Sequence, residues 1–449
     1  MSERKRIYLC LAHMSEDGAE QRYVKEAFDT NWVVPLGPNV NGFEKDLEEF
    51  VNETTNSTND TNKLSKRVVA LSAGTAAVHP GLLNCGVKPG DEVIVQSFTF
   101  CASTHPVTYL GATPVLVDSE PDTWNIDPEL LEEAIVDRKE KTGKYPKAIV
   151  PVALYGMPYK ADRIMEIANK YGIPVVEDAA EGFGSKYKGQ TLGTFGKYGV
   201  LSFNGNKMIT TSGGGALITA NDDEWREIMM YATQYRESYP YYQHEKIGYN
   251  YRMSNICAGI GRGQMTVVND HLAHHKHVQK MYEELLADVP GVHVHSQPNN
   301  GDYDSNYWLC TITIDENVKV KGQEDAYKTI VTGAVGGAAG VIHAAESAHT
   351  DCEPNANVEA MRVALDKAQI EARPVWKPMH KQPVYCRGNV KIEKLKNESF
   401  ICQTSESSIA YINGVSEALF KVGMCLPAGP YVSDDDVKYI VDTIKASIL

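Results

Sequence analysis

One lysine, Lys207, stands between a predicted strand and a glycine-rich turn, with hydroxyl side chains on both sides of it. The segment 202–215 reads SFNGNKMITTSGGG. A lysine amine that is partly shielded from water can form a Schiff base with a carbonyl compound. A surface lysine is the commoner explanation for such a residue taken alone, so this chemistry requires partners elsewhere in the chain.

An acidic pair, Glu177 and Asp178, ends an otherwise apolar run that contains Val175 and Val176. Burying a carboxylate at the end of a strand is costly unless the carboxylate meets a cation. A protonated heteroaromatic nitrogen would be one such partner. An exposed strand end is the alternative explanation.

A third segment, SAGTAA over 72–77, follows the apolar run VVAL and opens a predicted helix. Gly74 lets the backbone approach a ligand closely, and free N–H groups at a helix start attract phosphate. A tight strand-to-helix turn without a ligand explains the segment equally well. In a fourth segment, GYNYRMS over 248–254, Arg252 lies among aromatic residues and either binds a substrate or packs.

Short apolar runs alternate with helix-length segments between residues 68 and 220, as in VVALSA, DEVIV, ATPVLVD, AIVPVAL, IPVVED, VLSF and GGALIT. Such runs are typical of a largely parallel sheet that is buried on both faces. We therefore predict a large α/β domain with its functional groups at the carboxyl ends of the strands. Beyond residue 271, a long charged helical stretch and shorter α/β elements predict a second, smaller domain.

The chain has 449 residues, with 44 Lys and Arg against 58 Asp and Glu, and its formal net charge is −14. This balance argues against a broad basic surface for nucleic acid or anionic lipid, so we expect neither partner. The nine cysteines are scattered singly, without zinc-ligand spacing, and the N-terminus does not read as a signal peptide. We therefore expect a cytoplasmic protein with reduced thiols.

Several segments, in chain order, resemble the sugar aminotransferase family of the fold type I pyridoxal-phosphate enzymes, the group that contains the DegT and StrS proteins. These segments are 37–50, 72–77, 89–103, 110–118, 175–185, 202–215, 248–254 and 414–429. The resemblance covers nearly the whole chain and implies an α/β fold. It implies a large domain for pyridoxal 5'-phosphate over 15–270, and a small C-terminal domain over 271–449 that includes the N-terminal segment 1–14. The Gly/Ala-rich stretch 318–357 would be an insertion.

The resemblance also implies roles for individual residues. Lys207 matches the lysine that forms the Schiff base with the cofactor, and Asp178 matches the carboxylate that keeps the pyridine nitrogen protonated. Protonation makes the ring an electron sink. Glu181 stands where relatives commonly carry Gln or His beside the ring hydroxyl, so it adds a negative charge there.

The remaining cofactor contacts follow from the same resemblance. Gly74 and Thr75 match the phosphate-binding turn, and Ser202 matches a hydroxyl that contacts the phosphate. Phe100 matches the aromatic residue stacked on the cofactor ring. Asn250 matches a residue that reaches the phosphate from the neighbouring subunit, so we expect a homodimer with active sites shared across the interface.

The segments 12–40 and 373–385 resemble the branch that aminates C4 of UDP-linked 4-keto-6-deoxy-N-acetylhexosamines, as in bacillosamine-type pathways. The candidate sugar-nucleotide contacts on these segments are His13, Asn31, Trp32, Arg373, Trp376 and Lys377. Arg373 and Lys377 suit a diphosphate or a donor carboxylate, and ordinary cations at a domain interface are the alternative.

The resemblance thus implies an aminotransferase of surface polysaccharide or glycan biosynthesis. It would move an amino group from an amino acid, expected to be L-glutamate, to the 4-keto carbon of the nucleotide sugar. A 3-keto nucleotide-sugar aminotransferase is the alternative, because both would share the cofactor site. A non-catalytic binding protein of the same fold is a further alternative, against which the joint presence of Lys207, Asp178 and Thr75 argues.

Several histidines cluster at 271–277, where His271 and His275 are i, i+4 neighbours on a predicted helix. That spacing can bind a metal ion, but no H-E-x-x-H pattern completes it. We therefore expect no metal site and interpret these residues as a solvated or interface face of the helix.

Overall fold

The structure is a computed structural model of the chain. It describes residues 5–53, 65–327, 352–386, 390–394, 399–404 and 408–449. The predicted insertion at 318–357 therefore lies largely outside the described residues.

The α-helices are α1 (Ala19–Asp29), α2 (Pro38–Asn52), α3 (Thr75–Asn84), α4 (His105–Tyr109), α5 (Pro128–Thr142), α6 (Ala161–Tyr171), α7 (Asp222–Ala232), α8 (Asn255–Met265), α9 (Val268–Leu286), α10 (Ala356–Lys367), α11 (Pro383–Cys386), α12 (Val415–Val422) and α13 (Asp434–Ser447). The β-strands are β1 (Arg67–Leu71), β2 (Glu92–Gln96), β3 (Thr113–Val117), β4 (Ile149–Val150), β5 (Val176–Asp178), β6 (Lys186–Tyr187), β7 (Gln190–Thr191), β8 (Tyr198–Ser202), β9 (Gly215–Thr219), β10 (Val292–Val294), β11 (Tyr303–Asp304), β12 (Cys310–Ile314), β13 (Arg373–Pro374), β14 (Val390–Lys394), β15 (Phe400–Thr404), β16 (Ile409–Ile412) and β17 (Gly423–Leu426).

A long sheet forms the centre of the larger part of the molecule. Its strand order is β14-β15-β16-β3-β2-β4-β5-β8-β9-β1, in which parallel bridges beside β4 join it to the β5 segment. The strands from β16 to β8 run parallel, and β9 runs antiparallel between β8 and β1. The predicted α/β fold with a largely parallel sheet is therefore confirmed.

Helices cover both faces of this sheet. Alternate residues of a strand point to opposite faces, and on β1 Val69 and Leu71 belong to a core shared with α3 and α7, whereas Val68 and Ala70 belong to one shared with α2. All four side chains are fully buried. This two-sided burial explains why the strands appear in the sequence as continuous apolar runs.

The polar segments singled out in the sequence meet at one edge of the sheet. β1 ends at Leu71, β2 at Gln96, β5 at Asp178 and β8 at Ser202. These four strands run in the same direction, so their carboxyl ends lie together, where open α/β sheets place their ligands.

A second, antiparallel sheet has the order β10-β12-β17-β13 and packs with α9, α10 and α13. Helix α13 starts with a capping box in which Ser433 and Asp436 bond each other's backbone N–H. Ile7 forms a parallel bridge with Ile370 and lies in the same core, so the N-terminal segment joins this part of the molecule.

The strands β14 to β16 depart from the predicted division at residue 271. They lie within 271–449, yet Ile409, Ala410 and Tyr411 of β16 pair in parallel with β3 of the central sheet. These three side chains are buried, and the pairing covers the edge that β3 would otherwise expose. The small domain predicted over 271–449 therefore does not include this returning segment.

Candidate active site

A cleft of about 380 Å³ opens at the carboxyl edge of the central sheet. Its lining includes residues of the segments 72–77 and 202–215 and the acidic residue Asp178, together with residues from later in the chain such as Trp308. The predicted residues in its lining are Gly74, Thr75, Phe100, Asp178, Glu181, Ser202, Lys207 and Trp376.

One corner of the cleft is formed by the start of α3. A Cβ on Gly74 would lie 3.0 Å from the Cβ of Ser202, so only glycine lets the two backbones approach this closely without a shift. The first N–H groups of a helix have no intrahelical partner and attract anions. With the hydroxyl of Ser202 beside it, this corner suits a phosphate group.

Asp178 is a buried carboxylate in the same cleft. The hydroxyl of Ser103 donates to Oδ2 at 2.6 Å, and the N–H of Ala180 donates to Oδ1 at 3.1 Å. Burial raises the pKa of Asp178 above its ordinary value, and the Ser103 hydrogen bond opposes this only in part. No described side-chain cation forms a salt bridge with Asp178, so the carboxylate is suited to a cationic group of a ligand.

Lys207 is held between a carboxylate and an aromatic ring. Its Nζ lies 3.3 Å from Oε1 of Glu181 and 3.9 Å from the centre of the Trp308 ring. The lysine side chain is 13 % exposed, so the amine is shielded from water but faces the cleft. Burial raises the pKa of Glu181, and the nearby Lys207 ammonium acts in the opposite direction.

The position of Trp308 depends on contacts that the sequence prediction missed. Its indole N–H donates to the carbonyl of Asn206 at 2.6 Å, next to Lys207. The buried Asn306 accepts the backbone N–H of Trp308 at 2.8 Å and donates to the carbonyl of Glu181 at 2.9 Å. One amide thus places both the ring and the carboxylate that flank the lysine. No motif links Trp308 to Lys207, so no local sequence signal identifies it.

Two other residues were also missed. Ser103, which bonds Asp178, lies at the end of the segment 89–103, and its hydroxyl shortly after Phe100 was a usable signal. Tyr155 is buried with φ 54°, and its N–H donates to Oε2 of Glu181 at 2.7 Å. A buried non-glycine residue in this backbone region is strained and persists only where surrounding contacts hold it.

The outer wall of the cleft is aromatic. The rings of Phe100 and Trp376 lie 5.4 Å apart, and Phe100 is 50 % exposed. The backbone N–H of Trp376 donates to the hydroxyl of Tyr155 at 2.6 Å. This wall, which we call the outer end of the cleft, thus offers stacking surface to a ligand. It is much less enclosed than the end formed by Lys207 and Asp178, which we call the inner end.

Two predicted substrate contacts and the predicted cofactor contact Asn250 lie outside the cleft lining. Arg373 pairs with Glu371 at 2.6 Å, and Nζ of Lys377 lies 5.9 Å from the centre of the Phe420 ring. Asn250 is exposed and forms a bridge with Thr233. A residue expected to serve a neighbouring subunit need not line its own cleft.

The predicted N-terminal contacts are also outside it. The ring of His13 lies 6.5 Å from that of His271, Asn31 is exposed, and Trp32 is 39 % exposed. In the fourth segment Arg252 pairs with Glu44 and also bonds the carbonyl of Ala70 at 3.0 Å, so it packs.

His271 and His275 of α9 are packing residues, whereas His277 is exposed and pairs with Asp434. Nδ1 of His271 lies 3.2 Å from the carbonyl oxygen of Met208, and Nδ1 of His275 lies 3.0 Å from that of Tyr307. Both rings are buried, so they serve an internal interface and not a solvated face. Within the described ranges, no three His, Cys, Asp or Glu side chains are placed to hold a metal ion. In those ranges, none of the helices has the length and apolar character needed to cross a bilayer.

Comparison with known proteins decides between the interpretations of this cleft. The sequence profile of the DegT/DnrJ/EryC1/StrS aminotransferase family matches residues 14–339. The chain belongs to the DegT/DnrJ/EryC1/StrS aminotransferase family. The resemblance seen in the sequence is confirmed at this level.

Individual relatives of this aminotransferase differ in their named products and substrates. The Bacillus subtilis protein EpsN, whose name assigns it to the pyridoxal phosphate-dependent aminotransferases, is 38 % identical over 98 % of this chain and 95 % of its own. A GDP-perosamine synthase of Escherichia coli O157:H7 is 31 % identical over 98 % of each chain. A UDP-2-acetamido-2-deoxy-3-oxo-D-glucuronate aminotransferase of Pseudomonas aeruginosa is 36 % identical over 57 % of this chain and 65 % of its own.

A solved structure of a family member from Brucella abortus has a TM-score of 0.75 with this aminotransferase at 25 % identity, covering 96 % of this chain and 95 % of the other. The fold type I assignment is therefore confirmed. The protein is a pyridoxal-phosphate-dependent aminotransferase, and the relatives connect this activity with nucleotide sugars.

The residues of the cleft fit the cofactor. The start of α3 and Ser202 suit its phosphate, and Lys207 offers the amine for covalent attachment. The buried carboxylate of Asp178, with which no described cation forms a salt bridge, suits its pyridinium nitrogen. When bound, the cofactor supplies an electron sink for a carbanion at the amino-acid Cα. With the cofactor bound, Asp178 would hold a proton at the ring nitrogen, and Lys207 would be placed to carry a proton to and from the substrate carbon.

Proposed function

We propose that this aminotransferase transfers the amino group of L-glutamate to the 4-keto carbon of a UDP-linked 4-keto-6-deoxy-N-acetylhexosamine, for surface polysaccharide or glycan biosynthesis. The observation that carries the proposal is the position of Trp376. It belongs to the segment 373–385 that resembles C4 aminotransferases, and it lines the same cleft as Lys207 and Asp178. An indole at the cleft wall suits a sugar or base face.

The arrangement supports a reaction in two halves. Lys207 lies where it can serve as the acid–base group in both, since its amine faces the cleft and Glu181 and Trp308 hold it on either side. The amino acid delivers nitrogen in the first half, and the keto sugar receives it in the second. Ping-pong kinetics are the expected result.

A homodimer with shared sites is part of the proposal. Large apolar side chains are exposed on α1, on the loop that follows it and on the loop before Asn250. They include Phe28 at 59 %, Leu36 at 54 %, Tyr241 at 62 % and Ile247 at 84 % exposure. Exposed apolar patches of this kind favour association. A mixed dimer of Lys207→Ala and Asn250→Ala chains is expected to regain activity, because one of its two sites would carry neither change.

One feature supports the proposed cytoplasmic location. All nine cysteines are free thiols, as expected of a reducing compartment. The bounds 15–270 and 271–449 are proposed for the two domains, apart from the returning strands β14 to β16.

The 3-keto alternative rests on the Pseudomonas aeruginosa relative, whose name specifies a 3-oxo substrate. A GDP-linked acceptor is the other competing possibility, because the Escherichia coli relative is named for a GDP sugar and matches over a longer stretch. Both alternatives use the same inner end of the cleft. They differ from the proposal only in what the outer end must recognise.

An acceptor panel tests the proposal. The holoenzyme is incubated with L-glutamate and, separately, UDP-4-keto-6-deoxy-N-acetylglucosamine, a UDP-linked 3-keto sugar and a GDP-linked 4-keto sugar, and each product is characterised by NMR. The proposal predicts amination at C4 of the first acceptor with the highest kcat/KM. Preferred amination at C3, or a preference for the GDP sugar, would contradict it.

A further inference from the structure

Three side chains form a hydrogen-bonded series directly behind the outer wall of the cleft. Nδ1 of His380 lies 2.7 Å from Oγ of Ser97, and Nε2 of His380 lies 3.1 Å from Oε1 of Glu417. Because an ionised carboxylate only accepts, Nε2 is assigned the proton and Nδ1 accepts from the Ser97 hydroxyl. Ser97 follows β2 and Glu417 lies on α12, so the imidazole connects two separate elements.

This series fastens residues 376–380, which we call the strap, to the central sheet. The backbone N–H of Met379 donates to the carbonyl of Ser97 at 2.7 Å, and that of His380 donates to its Oγ at 3.3 Å. At the other end of the strap, Trp376 donates its N–H to Tyr155. The strap is therefore held at both ends, and its first residue lines the cleft.

Serine, histidine and a carboxylate also make up the triads of hydrolases, in which the serine attacks the substrate. The geometry here argues against that role. Ser97 is 1 % exposed, is not part of the cleft lining, and its Oγ already accepts the N–H of His380. The series therefore acts by fixing the backbone.

We propose that His380 is a positioning residue for the acceptor half of the reaction, holding the strap so that Trp376 faces the cleft beside Phe100. This inference rests on the proposed function, which assigns Trp376 to the keto sugar. Lys207 and Asp178 are held by other contacts, to Glu181, Trp308 and Ser103. Loosening the strap is therefore expected to leave the amino-acid half of the reaction unchanged.

The two half-reactions are measured separately on the holoenzyme of the wild type and of His380→Ala. The first is followed by the spectral change on adding L-glutamate, and the second by conversion of whichever keto-sugar nucleotide of the panel the wild type aminates best. We expect kcat/KM for the acceptor to fall about tenfold or more, mainly through KM, and the glutamate half-reaction to stay within about twofold.

Two conservative variants separate the bonds of the imidazole. His380→Asn places an amide near the position of Nδ1 and can keep the bond to Ser97, whereas His380→Gln reaches further, towards Glu417. We expect the asparagine variant to recover most of the acceptor activity and the glutamine variant to resemble His380→Ala. As a matched control, His277→Asn alters an exposed histidine of α9 that pairs with Asp434, and it should leave both halves unchanged.

The outcomes distinguish this inference from the proposed function. A wild type that aminates none of the keto sugars overturns both. If the wild type is active, equal losses in both half-reactions of His380→Ala, or no loss in either, overturn the positioning role alone. An asparagine variant no better than alanine also contradicts it, because the bond to Ser97 would then carry no positioning effect.

Discussion

The inner and outer ends of the cleft differ in how their side chains are held. At the inner end, Lys207 and Asp178 are shielded from water and bonded by side chains from other elements. At the outer end, Phe100 is 50 % exposed, and Arg373 pairs with Glu371 away from the cleft. The lysine and the carboxylate proposed for the chemistry thus lie in one chain, and the surface proposed to recognise the acceptor depends on the strap.

The largest expected effect is at the inner end. Lys207→Ala removes the only side-chain amine among the described residues of the cleft lining, so turnover should fall about ten-thousand-fold or more. The visible absorbance of covalently bound cofactor should also disappear. Steady-state kinetics and an absorption spectrum measure both. Lys188→Ala, which changes an exposed lysine paired with Asp162, is the control, and a fully active Lys207→Ala enzyme would end the assignment.

Asp178→Asn should have the next largest effect. The amide keeps the acceptor for Ser103 but no longer offers a negative charge to a pyridinium nitrogen, so we expect kcat to fall about a hundredfold or more with the cofactor still bound. Both half-reactions should slow together, because both use the same ring. A loss confined to the acceptor half would place Asp178 at the outer end instead.

Trp376→Leu should act only at the outer end. Loss of the indole face is expected to raise KM for the sugar nucleotide about tenfold, while the glutamate half-reaction changes little. Trp225→Leu is the matched control, since Trp225 packs under Arg67 at 4.9 Å, far along the chain from the strap. Equal slowing of both half-reactions would show that the two ends are not independent.

The stability of the apoenzyme should depend on the protonation of the buried Asp178 carboxyl group. Burial raises the pKa of Asp178, so the folded apoenzyme binds a proton there more strongly than the unfolded chain does. The contribution of this carboxyl group to stability is therefore fully present below its ordinary pKa and is lost as the pH rises through the raised pKa. Asp178→Asn should raise the melting temperature of the apoenzyme at mildly alkaline pH, with a gain that shrinks towards acid pH. A gain that does not change with pH would contradict this.

The smallest effect concerns Glu417 behind the outer wall. Burial raises the pKa of Glu417, but the hydrogen bonds from His380 and Lys381 outweigh this effect and lower the pKa to about 2. The stability from this carboxylate is present above its ordinary pKa and is lost as the pH falls towards about 2. Glu417→Gln should cost about 1 kcal/mol in free energy of unfolding near neutral pH, after allowance for solvent screening, and progressively less in acid. Denaturant titrations at several pH values measure this.

Local patterns predicted the inner end because its residues lie directly at strand ends. Gly74, Asp178 and Ser202 each follow or end a buried apolar run, and parallel strands bring such positions to one edge without further information. The same logic cannot locate Trp308, which contacts Lys207, or Tyr155, which bonds Glu181, because each contact joins segments far apart in the chain.

The sequence patterns also did not predict in which direction individual side chains point. Arg373 and Lys377 lie on either side of Trp376 in the sequence, yet Arg373 pairs with Glu371, two residues before it, and Lys377 lies near Phe420 of α12. The return of β16 to the central sheet was missed for a similar reason. A short apolar run shows that a strand is buried but not which sheet it joins.

The most direct test of the central claim is to follow nitrogen itself. The holoenzyme is given L-glutamate labelled with ¹⁵N and UDP-4-keto-6-deoxy-N-acetylglucosamine, and the nucleotide sugar is analysed by mass spectrometry and ¹⁵N NMR. We predict one labelled nitrogen bound at C4 of the sugar in the wild type and none with Lys207→Ala. An unlabelled sugar product, or label transfer by Lys207→Ala, would contradict the account.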